Sequence, residues 1–384
     1  MRKIRILIVT WFYPNQAGYM DFSYRIHALS RVFDTTVISR ESLMQGEFDS
    51  VTGNFVVLPT LDCSTSSHVG YVLRVASYIR SENHDLVVLL GSQVAAVKLL
   101  IGRIPTVVYW NEHPDHYFSS DVRNPIKRTV RWFLRALTYR GAERAEVVMP
   151  IGEAHQEDLL AHGVKPASLK LIYMGVDSAF APQKSSRSGQ GAGDAAPLRL
   201  IYTGTVIRER GRDVMLEGLA KANANGKVAT LTLVGALADQ ISYCEARAKE
   251  LGIGDALKVM GRVSGESIPG LLAEADAGIC IWEDRLYWRF NPPTKLFEYL
   301  VAGLPVLVSN IRTHTAYVRS WENGLVFDYD ADDFAAKVQE LWMRRTELPR
   351  MSECALENSE KYLWSNLERR FLDALPVNIE RITS

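Results

Sequence analysis

Short apolar runs alternate with helical patterns along almost the whole chain, and no other feature limits the possible folds so strongly. Residues 4–9 and 85–90 are apolar runs of strand length. Between them, residues 22–33 place Ile26 and Leu29 on one face of a helix. Uninterrupted apolar runs are typical of parallel strands that helices cover on both faces, so the sequence predicts an α/β protein with doubly wound parallel sheets. Further candidate strands of the first half are residues 35–38, 55–58, 106–110, 146–150 and 169–173, and further candidate helices are 72–81 and 93–100.

A stretch rich in glycine, serine and alanine, residues 182–197, separates two halves of the chain. Such a segment cannot bury enough apolar surface to fold, which predicts a flexible linker. The alternation of strands and helices begins again at residue 198. We therefore expect a first domain over residues 1–181, a second over 198–355, and a terminal helical segment over 356–384.

Composition excludes several classes of protein. Basic and acidic residues number 44 each, so the net charge gives no reason to expect nucleic acid as a partner. The sequence shows no signal peptide and no apolar run near the ~20 residues of a membrane span. The loop after the first strand has one glycine, Gly18, and no dinucleotide-binding fingerprint. The cysteines lack metal-ligand spacing and predict free thiols in a reducing, cytoplasmic compartment: Cys63, Cys244, Cys280 and Cys354.

The stretch NPPTKLFEYLVAGLPVLVS, residues 291–309, combines a strong fold signal with candidate chemistry. Its two prolines suit the entry to a helix, and Gly303 is placed to end that helix before a short apolar strand. The N-terminus of a helix binds anions well, because its free N–H groups and its dipole favour negative charge. Thr294 and Lys295 stand where such a site would hold a diphosphate. Glu298, one turn later, could accept hydrogen bonds from two neighbouring hydroxyls.

The same stretch resembles the donor-site signature of glycosyltransferase family 4, P-P-T-K-L-F-E-Y-L-x-A-G-L-P-V as it stands here. The resemblance extends over nearly the whole chain and is strongest from residue 198 to 310. It implies the GT-B fold, in which two Rossmann-like domains face a cleft, with the acceptor on the first and the donor on the second. In that family the glutamate that matches Glu298 holds the ribose of a nucleotide-sugar. The terminal helix would cross back onto the first domain.

Further donor-binding residues follow from the resemblance alone. The turn G-x-x-x-x-x-K-G of the family presents a cation to the diphosphate, and here Gly204 begins it while Arg210 takes the lysine position. Arginine can hold phosphate with two hydrogen bonds, and Arg208 could share this role. The turn at Arg262 and Val263 resembles the one whose backbone contacts the nucleobase.

The sequence departs from the family at one donor-site position. The usual motif has two glutamates with seven residues between them, and Phe290 stands where the first is expected. Glu283 and Asp284 lie too far upstream to replace it without a different loop. Some members with this core lack the first acid, and there Asn291 or backbone groups are expected to hold the sugar. The departure also leaves open a catalytically silent protein that only binds nucleotide-sugar.

In the first half, titratable residues follow a predicted strand at 106–110, where an open α/β sheet meets its ligands. Family 4 members commonly carry a histidine at this strand end that contacts the donor sugar. His113 matches it best, with Glu112 the second candidate. Nearer the start of the chain, Gly18 and Asp21 match the loop that faces the acceptor. Asp21 could equally be a helix N-cap.

A strongly basic helix is predicted between residues 123 and 144, which contain seven basic residues and one acid, Glu143. Basic amphipathic helices with aromatic residues are typical of elements that lie on anionic membranes. The alternative is a solvated face over the core of the domain. We expect the apolar stripe through Val130 and Phe133 to pack against its own domain. The candidate membrane residues are Lys127, Arg128, Arg131, Trp132 and Arg135.

The resemblance to glycosyltransferase family 4 implies a retaining hexosyltransferase that uses a nucleoside diphosphate sugar. With the basic helix, it favours a lipid-linked oligosaccharide acceptor in bacterial surface polysaccharide synthesis. The protein would be cytoplasmic and peripherally bound to the membrane. We expect no cofactor and no obligatory metal, because Arg210, Lys295 and the helix dipole meet the diphosphate charge, while Asp328 and Asp330 are placed to cap a helix. A soluble small-molecule acceptor remains an alternative, and a nucleotide-sugar epimerase is a more distant one.

Overall fold

The first half of the chain forms a parallel sheet of six strands in the order β3-β2-β1-β4-β5-β6. We describe a computed structural model, which covers residues 3–12, 19–43, 48, 51–119, 122–182 and 196–377. Every residue of β4, LVVLL, is buried, as expected for a strand that helices cover on both faces. The strands are β1 Arg5–Thr10, β2 Asp34–Ser39, β3 Asn54–Val57, β4 Leu86–Leu90, β5 Thr106–Trp110 and β6 Val147–Pro150.

Among the described residues, the first half contains four α-helices. They are α1 Tyr19–Val32, α2 Thr65–Ser81, α3 Pro125–Arg144 and α4 Glu153–Ala161. The helix predicted at residues 93–100 is a 3₁₀ helix, Ser92–Leu99. The strand predicted at residues 169–173 is wrong: only Leu169 forms a bridge, to Val148, and the rest is irregular.

The second half repeats the same topology. Its six parallel strands lie in the order β12-β11-β10-β7-β8-β9, which is the order of the first sheet read from the other edge. This strand order is that of the doubly wound Rossmann fold, in which ligands meet the carboxyl ends of the strands where the order reverses. The strands are β7 Leu198–Thr203, β8 Ala229–Ala236, β9 Leu257–Gly261, β10 Ala277–Cys280, β11 Val306–Ser309 and β12 Gly324–Phe327.

The helices of the second half include the one that the signature stretch predicted. Helix α8 begins at Thr294, directly after the two prolines, and ends before Gly303. Gly303 has a left-handed φ of 63° that a residue with a side chain rarely adopts, which confirms its predicted function in ending the helix. The helices are α5 Arg212–Ala222, α6 Ala238–Glu250, α7 Ile268–Ala273, α8 Thr294–Val301, α9 Arg312–Thr315, α10 Ala331–Met343, α11 Leu348–Leu356 and α12 Trp364–Asp373.

The chain divides into two compact units, one of Met1–Gly175 with Trp364–Ser384 and one of Val176–Leu363. The terminal helix α12 thus belongs to the first unit. Within that unit Arg31 forms an ion pair with Glu368, and the rings of Tyr24 and Trp364 stack at a centroid distance of 5.5 Å. Most of the expected linker, 182–197, lies outside the described residues.

Candidate functional site

Helix α8 is fixed to its sheet by one tyrosine. The backbone N–H of Thr203 donates to Tyr299 Oη at 3.0 Å, and the Thr203 hydroxyl lies at the same distance. The ring of Tyr299 packs on Gly278 in β10, where an added Cβ would lie only 2.6 Å from it. These contacts join α8 to β7 and β10, and so fix the positions of Lys295 and Glu298.

Lys295 extends from the first turn of α8 toward the end of β7. Its Nζ lies 3.6 Å from the centroid of the Tyr202 ring, an attractive cation–π arrangement. Gly204, with φ of 122°, leaves room for it, since an added Cβ there would lie 2.9 Å from Nζ. Burial lowers the pKa of Lys295 to about 7, and the charge of Arg210 acts in the same direction. Among the described residues, Lys295 has no carboxylate partner in an ion pair.

Arg210 ends a 3₁₀ helix, Arg208–Arg210, in the turn between β7 and α5. Its guanidinium carbon lies 4.7 Å from the ring centroid of Trp282 and 5.3 Å from that of Trp288. Like Lys295, it forms no ion pair with any residue that the structure describes. Arg208 is exposed, and its carbonyl accepts a hydrogen bond from Tyr329 at 3.1 Å.

Glu298 is half-buried, and within the described ranges its carboxylate has neither a hydrogen-bond donor nor an ion-pair partner. Burial raises its pKa to about 7, against the opposing charge of Lys295. A carboxylate without hydrogen-bond donors is suited to a ligand that brings its own donors, such as a pair of hydroxyls.

The remaining predicted donor residues have less definite surroundings. Asn291 is buried, and its backbone N–H donates to the Tyr287 carbonyl at 3.2 Å. Thr294 is half-buried at the start of α8, where no side chain caps the helix. Arg262 is exposed and Val263 half-buried, directly after β9. Their contacts with base, sugar or phosphate stay predictions.

The acidic residues in the loop before α8 form ion pairs within that loop. Asp284 pairs with Arg289 at 2.6 Å, and Glu283 pairs with Arg285 at 2.8 Å. Both acids are exposed and engaged by arginines of their own loop. Phe290, at the position of the family's first glutamate, is half-buried, with the Arg312 guanidinium 5.9 Å from its ring centroid.

The aspartates of the Asp328-Tyr329-Asp330 stretch take structural positions. Asp330 caps α10 by accepting from the backbone of Asp332 at 2.8 Å and Asp333 at 3.1 Å, which confirms the predicted cap. Asp328 accepts from Asn310 at 3.1 Å. In the described part of the chain, no group of three or more histidine, cysteine or acidic side chains is arranged to hold a metal ion.

His113, predicted to contact the donor sugar, is 3% exposed and bonded within the first unit. Its Nδ1 accepts from the backbone of Asp115 at 3.2 Å, and its Nε2 lies 3.2 Å from the hydroxyl of Tyr139. That hydroxyl in turn donates to Asp158 at 2.7 Å. Burial lowers the pKa of His113 to about 4, so the ring is neutral at pH 7. The arrangement gives His113 a structural function, and its contact with a sugar stays a prediction.

Glu112, the second candidate, lies closer to solvent at the same strand end. It is half-buried and accepts from the Gln93 amide at 2.9 Å, and it also pairs with the exposed His116. Because β5 ends directly before this loop, Glu112 lies at the edge of the sheet where ligands are expected. Its role in the reaction stays a prediction.

Asp21 lies within the first turn of α1, two residues after the helix begins, so the alternative that it caps the helix is wrong. It is 3% exposed and binds Arg25, the hydroxyl of Tyr109 and, at 2.8 Å, the backbone N–H of Gly175. These bonds hold the first unit together, while contact with an acceptor stays a prediction. Gly18 lies outside the described residues.

Among the described residues, helix α3 is buried only in its C-terminal part. The buried residues there are Thr138, Tyr139, Gly141 and Ala142. Gly141 permits a close approach to residues 92–99, since an added Cβ would lie 2.2 Å from the Ala95 carbonyl oxygen. The part of α3 before residue 131 is exposed at every position.

The predicted packing of the apolar stripe against its own domain is therefore wrong. Because the buried residues of α3 lie near its C-terminal end, the apolar side chains of its earlier turns are exposed to solvent. The exposed fractions are 74% for Ile126, 47% for Val130, 66% for Trp132 and 55% for Phe133. Exposed apolar residues grouped in this way mark a surface that binds a partner or a membrane.

The four basic residues of α3 that were predicted to bind a membrane divide into two pairs. Arg131 donates to the Ser119 carbonyl at 3.4 Å, and Arg135 pairs with Asp115 at 3.1 Å, so both are held by their own unit. Lys127 and Arg128 are exposed beside the apolar residues. Within the ranges described, no helix is both long and apolar enough to cross a membrane.

The topology of the two sheets agrees with comparisons to known proteins. One family model, described as glycosyltransferase family 4, matches residues 26–180, and a second, described as glycosyl transferases group 1, matches residues 197–344. The two together span most of the chain, and with the two repeated sheets they define a glycosyltransferase with the GT-B fold. The chain belongs to the family 4 type of these enzymes, as its signature stretch predicted.

Solved structures show the same fold. Alr3699/HepE from Anabaena, in complex with UDP, superposes with a TM-score of 0.75 at 16% identity over 97% of this chain and 99% of its own. WaaG, a glycosyltransferase involved in lipopolysaccharide biosynthesis, gives 0.73 at 16% over 98% and 100%. The lipopolysaccharide outer core galactosyltransferase WaaB gives 0.67 at 14% over 97% and 99%. At these identities the likeness concerns the fold alone. No curated protein matches the chain.

Proposed function

We propose that the protein is a retaining hexosyltransferase with a nucleoside diphosphate sugar as donor and a lipid-linked saccharide as acceptor, acting in bacterial surface polysaccharide synthesis. The observation that carries the proposal is the group formed by Arg210, Lys295 and Glu298. All three come from the carboxyl-end turns of the second sheet and from α8, and none has an ion-pair partner among the described residues. The two basic side chains complement the negative charge of a diphosphate. The carboxylate of Glu298 can accept hydrogen bonds from the hydroxyls of a ribose.

The reaction follows from these charges. The acceptor oxygen forms a bond to the anomeric carbon as the bond from that carbon to the phosphate oxygen breaks. The leaving diphosphate takes the proton of the acceptor hydroxyl, so no protein base is required. Negative charge grows on the diphosphate during this step, and Arg210 and Lys295 would stabilise it there, together with the N-terminus of α8. Alr3699/HepE has the same fold and was solved with UDP-glucose, which supports this class of donor.

The acceptor is proposed from the surface of α3 and from the solved structures. Exposed Ile126, Val130, Trp132 and Phe133 beside Lys127 and Arg128 complement a bilayer that has acidic headgroups. WaaG and WaaB, of the same fold, act in lipopolysaccharide biosynthesis. A protein held at a membrane in this way meets acceptors that are anchored in it.

The test begins with binding of UDP, GDP and ADP, followed by the hexose donors of the base that binds best. Slow transfer to water should release free sugar with the anomeric configuration of the donor, as read by NMR, and EDTA should not stop it. In Glu298→Ala, loss of a charge-assisted hydrogen bond to ribose should weaken donor binding about ten- to a hundredfold. Acceptors are then compared in soluble form and in vesicles.

Several outcomes would contradict the proposal. Donor binding without any transfer would indicate the catalytically silent protein that Phe290 leaves open. Inverted product would exclude the retaining mechanism, and activity that depends fully on Mg²⁺ or Mn²⁺ would exclude charge stabilisation by side chains alone. Equal rates with soluble and vesicle-bound acceptors would favour a small-molecule acceptor.

Donor affinity should depend on pH with two limbs. The pKa of Lys295 is lowered to about 7 in the free protein, and a bound diphosphate would raise it. The contribution of Lys295 to donor affinity is therefore at its maximum below pH 7 and falls as the pH rises above 7. The pKa of Glu298 is raised to about 7 in the free protein, and hydrogen bonds from ribose hydroxyls would lower it. The contribution of Glu298 to donor affinity is therefore at its maximum above pH 7 and falls as the pH drops below 7. We therefore expect the tightest binding of the nucleotide-sugar near pH 7, measured by titration calorimetry from pH 5 to 9.

Each limb has its own control. Lys295→Arg keeps its charge throughout this range and should remove the alkaline limb. Glu298→Gln cannot titrate and should remove the acid limb. Identical profiles in the wild type and both variants would show that other groups set the pH dependence.

A further inference from the structure

We propose that Trp282 and Trp288 are positioning residues for the donor diphosphate, because their stacked rings hold the guanidinium of Arg210 in place without neutralising it. We call these two rings the tryptophan shelf. The inference rests on the proposed function, which assigns Arg210 to the diphosphate.

The geometry of the tryptophan shelf supports a direct effect on Arg210. The two rings stack with centroids 5.3 Å apart and planes at 25°. The Arg210 guanidinium carbon lies 4.7 Å and 5.3 Å from their centroids, inside the roughly 6 Å within which a cation is attracted to an aromatic face. One cation thus contacts two rings.

The shelf is itself fixed to the second unit. The backbone N–H of Trp282 donates to Ser309 Oγ at 2.9 Å, and that hydroxyl lies 2.9 Å from the Trp282 carbonyl oxygen that it donates to. The hydroxyl of Thr313 donates to the Trp288 carbonyl at 2.6 Å. Both indole rings are buried, so Arg210 rests on a rigid surface.

A neighbouring arginine shows what a different partner does. Arg212, two residues after Arg210, pairs with Asp213 at 2.8 Å, and its charge is met by that carboxylate. An aromatic face attracts the guanidinium but leaves its N–H groups free to bind phosphate. Of these two arginines, Arg212 therefore has its charge neutralised, while the charge of Arg210 stays available.

The indole N–H of Trp282 gives a second argument. It is buried and has no hydrogen-bond partner among the described residues, which costs stability. Phenylalanine would bury an apolar ring without this cost. What tryptophan adds is the most strongly attractive ring face for a cation, and that advantage concerns Arg210.

The test compares affinity for the best-binding nucleoside diphosphate with affinity for its nucleoside, by calorimetry and competition. Trp288→Leu should weaken diphosphate binding about five- to tenfold and leave nucleoside binding unchanged. Trp288→Phe, which keeps a ring, should lose less. In an Arg210→Gln background, Trp288→Leu should cause no further loss, because the cation that it positions is absent.

A matched control comes from the same unit. Trp321 lies under the guanidinium of a different arginine, Arg344, at 3.6 Å, and Trp321→Leu should alter thermal stability without altering diphosphate affinity. The positioning role would be overturned if Trp288→Leu weakened diphosphate and nucleoside binding equally. It would also be overturned if Trp288→Leu weakened diphosphate binding as much in the Arg210→Gln variant as in the wild type. If Trp288→Leu does not fold, an unchanged diphosphate affinity in Trp288→Phe would overturn it. Failure of the wild type to bind any nucleoside diphosphate would contradict the proposed function itself. If the wild type binds but the Trp288 variants do not behave as expected, only the positioning role is contradicted.

Discussion

Replacing Lys295 with methionine should lower kcat for sugar transfer about a hundred- to a thousandfold, the scale expected when a group that stabilises transition-state charge is removed. Lys295 has no carboxylate partner among the described residues and lies at the end of β7, beside Gly204. Methionine has a similar length and keeps apolar packing on Tyr202, so the fold should be retained. The measurement is the initial rate at saturating donor, with thermal unfolding as the check on folding.

A lysine in a comparable setting provides the control. Lys361 lies 5.0 Å from the ring centroid of Tyr362 in the same unit but is exposed. Lys361→Met should leave kcat unchanged, and Lys295→Arg should recover part of the lost rate because it restores a positive charge. A kcat for Lys295→Met within threefold of the wild type would exclude Lys295 from charge stabilisation.

Binding to anionic vesicles should fall about a hundredfold or more when Ile126 and Phe133 are both replaced with asparagine. Full burial of each such side chain contributes about 1.5–3 kcal/mol, and both are more than half exposed in the free protein. The loss should persist at high salt, since it comes from apolar contact. Vesicle sedimentation measures it, and the unfolding temperature should hardly change because neither side chain is packed.

Two further variants separate apolar from electrostatic binding. Lys127→Glu with Arg128→Glu should weaken binding at 0.1 M salt and much less at 1 M, where the Debye length falls from about 10 Å to about 3 Å. Leu61 is fully exposed elsewhere in the first unit, so Leu61→Asn is a control that should change nothing. Equal binding of all variants to the vesicles, or no binding by the wild type, would show that α3 is an ordinary solvent-exposed helix and not a membrane-binding surface.

The sequence was sufficient for features that depend on local chemistry. Helix α8 begins after its two prolines and ends before Gly303, and Asp330 caps α10, because propensity, φ and capping act within a few residues. The parallel sheets were predictable from runs such as β4, since burial on both faces leaves no polar alternation. These predictions needed no knowledge of distant contacts.

Other features depend on contacts between residues far apart in the chain. The periodicity of α3 showed which side chains share a face, but the packing of Gly141 on Ala95 decides which part of the helix is covered. His113 occupied a plausible position for sugar contact, yet Tyr139 and Asp158 hold it inside the first unit. The two tryptophans under Arg210 follow it by more than seventy residues and carry no motif.

The repeated strand order has a consequence for how the enzyme avoids misplacing its substrate. The first unit has an arginine among aromatic rings as well: Arg25 of helix α1, with its guanidinium 4.0 Å from the ring centroid of Tyr109. Asp21 pairs with it and the Tyr173 carbonyl accepts from it at 3.0 Å, so its positive charge is already matched. Of these two arginines, we therefore expect only Arg210 to have its charge available for a diphosphate.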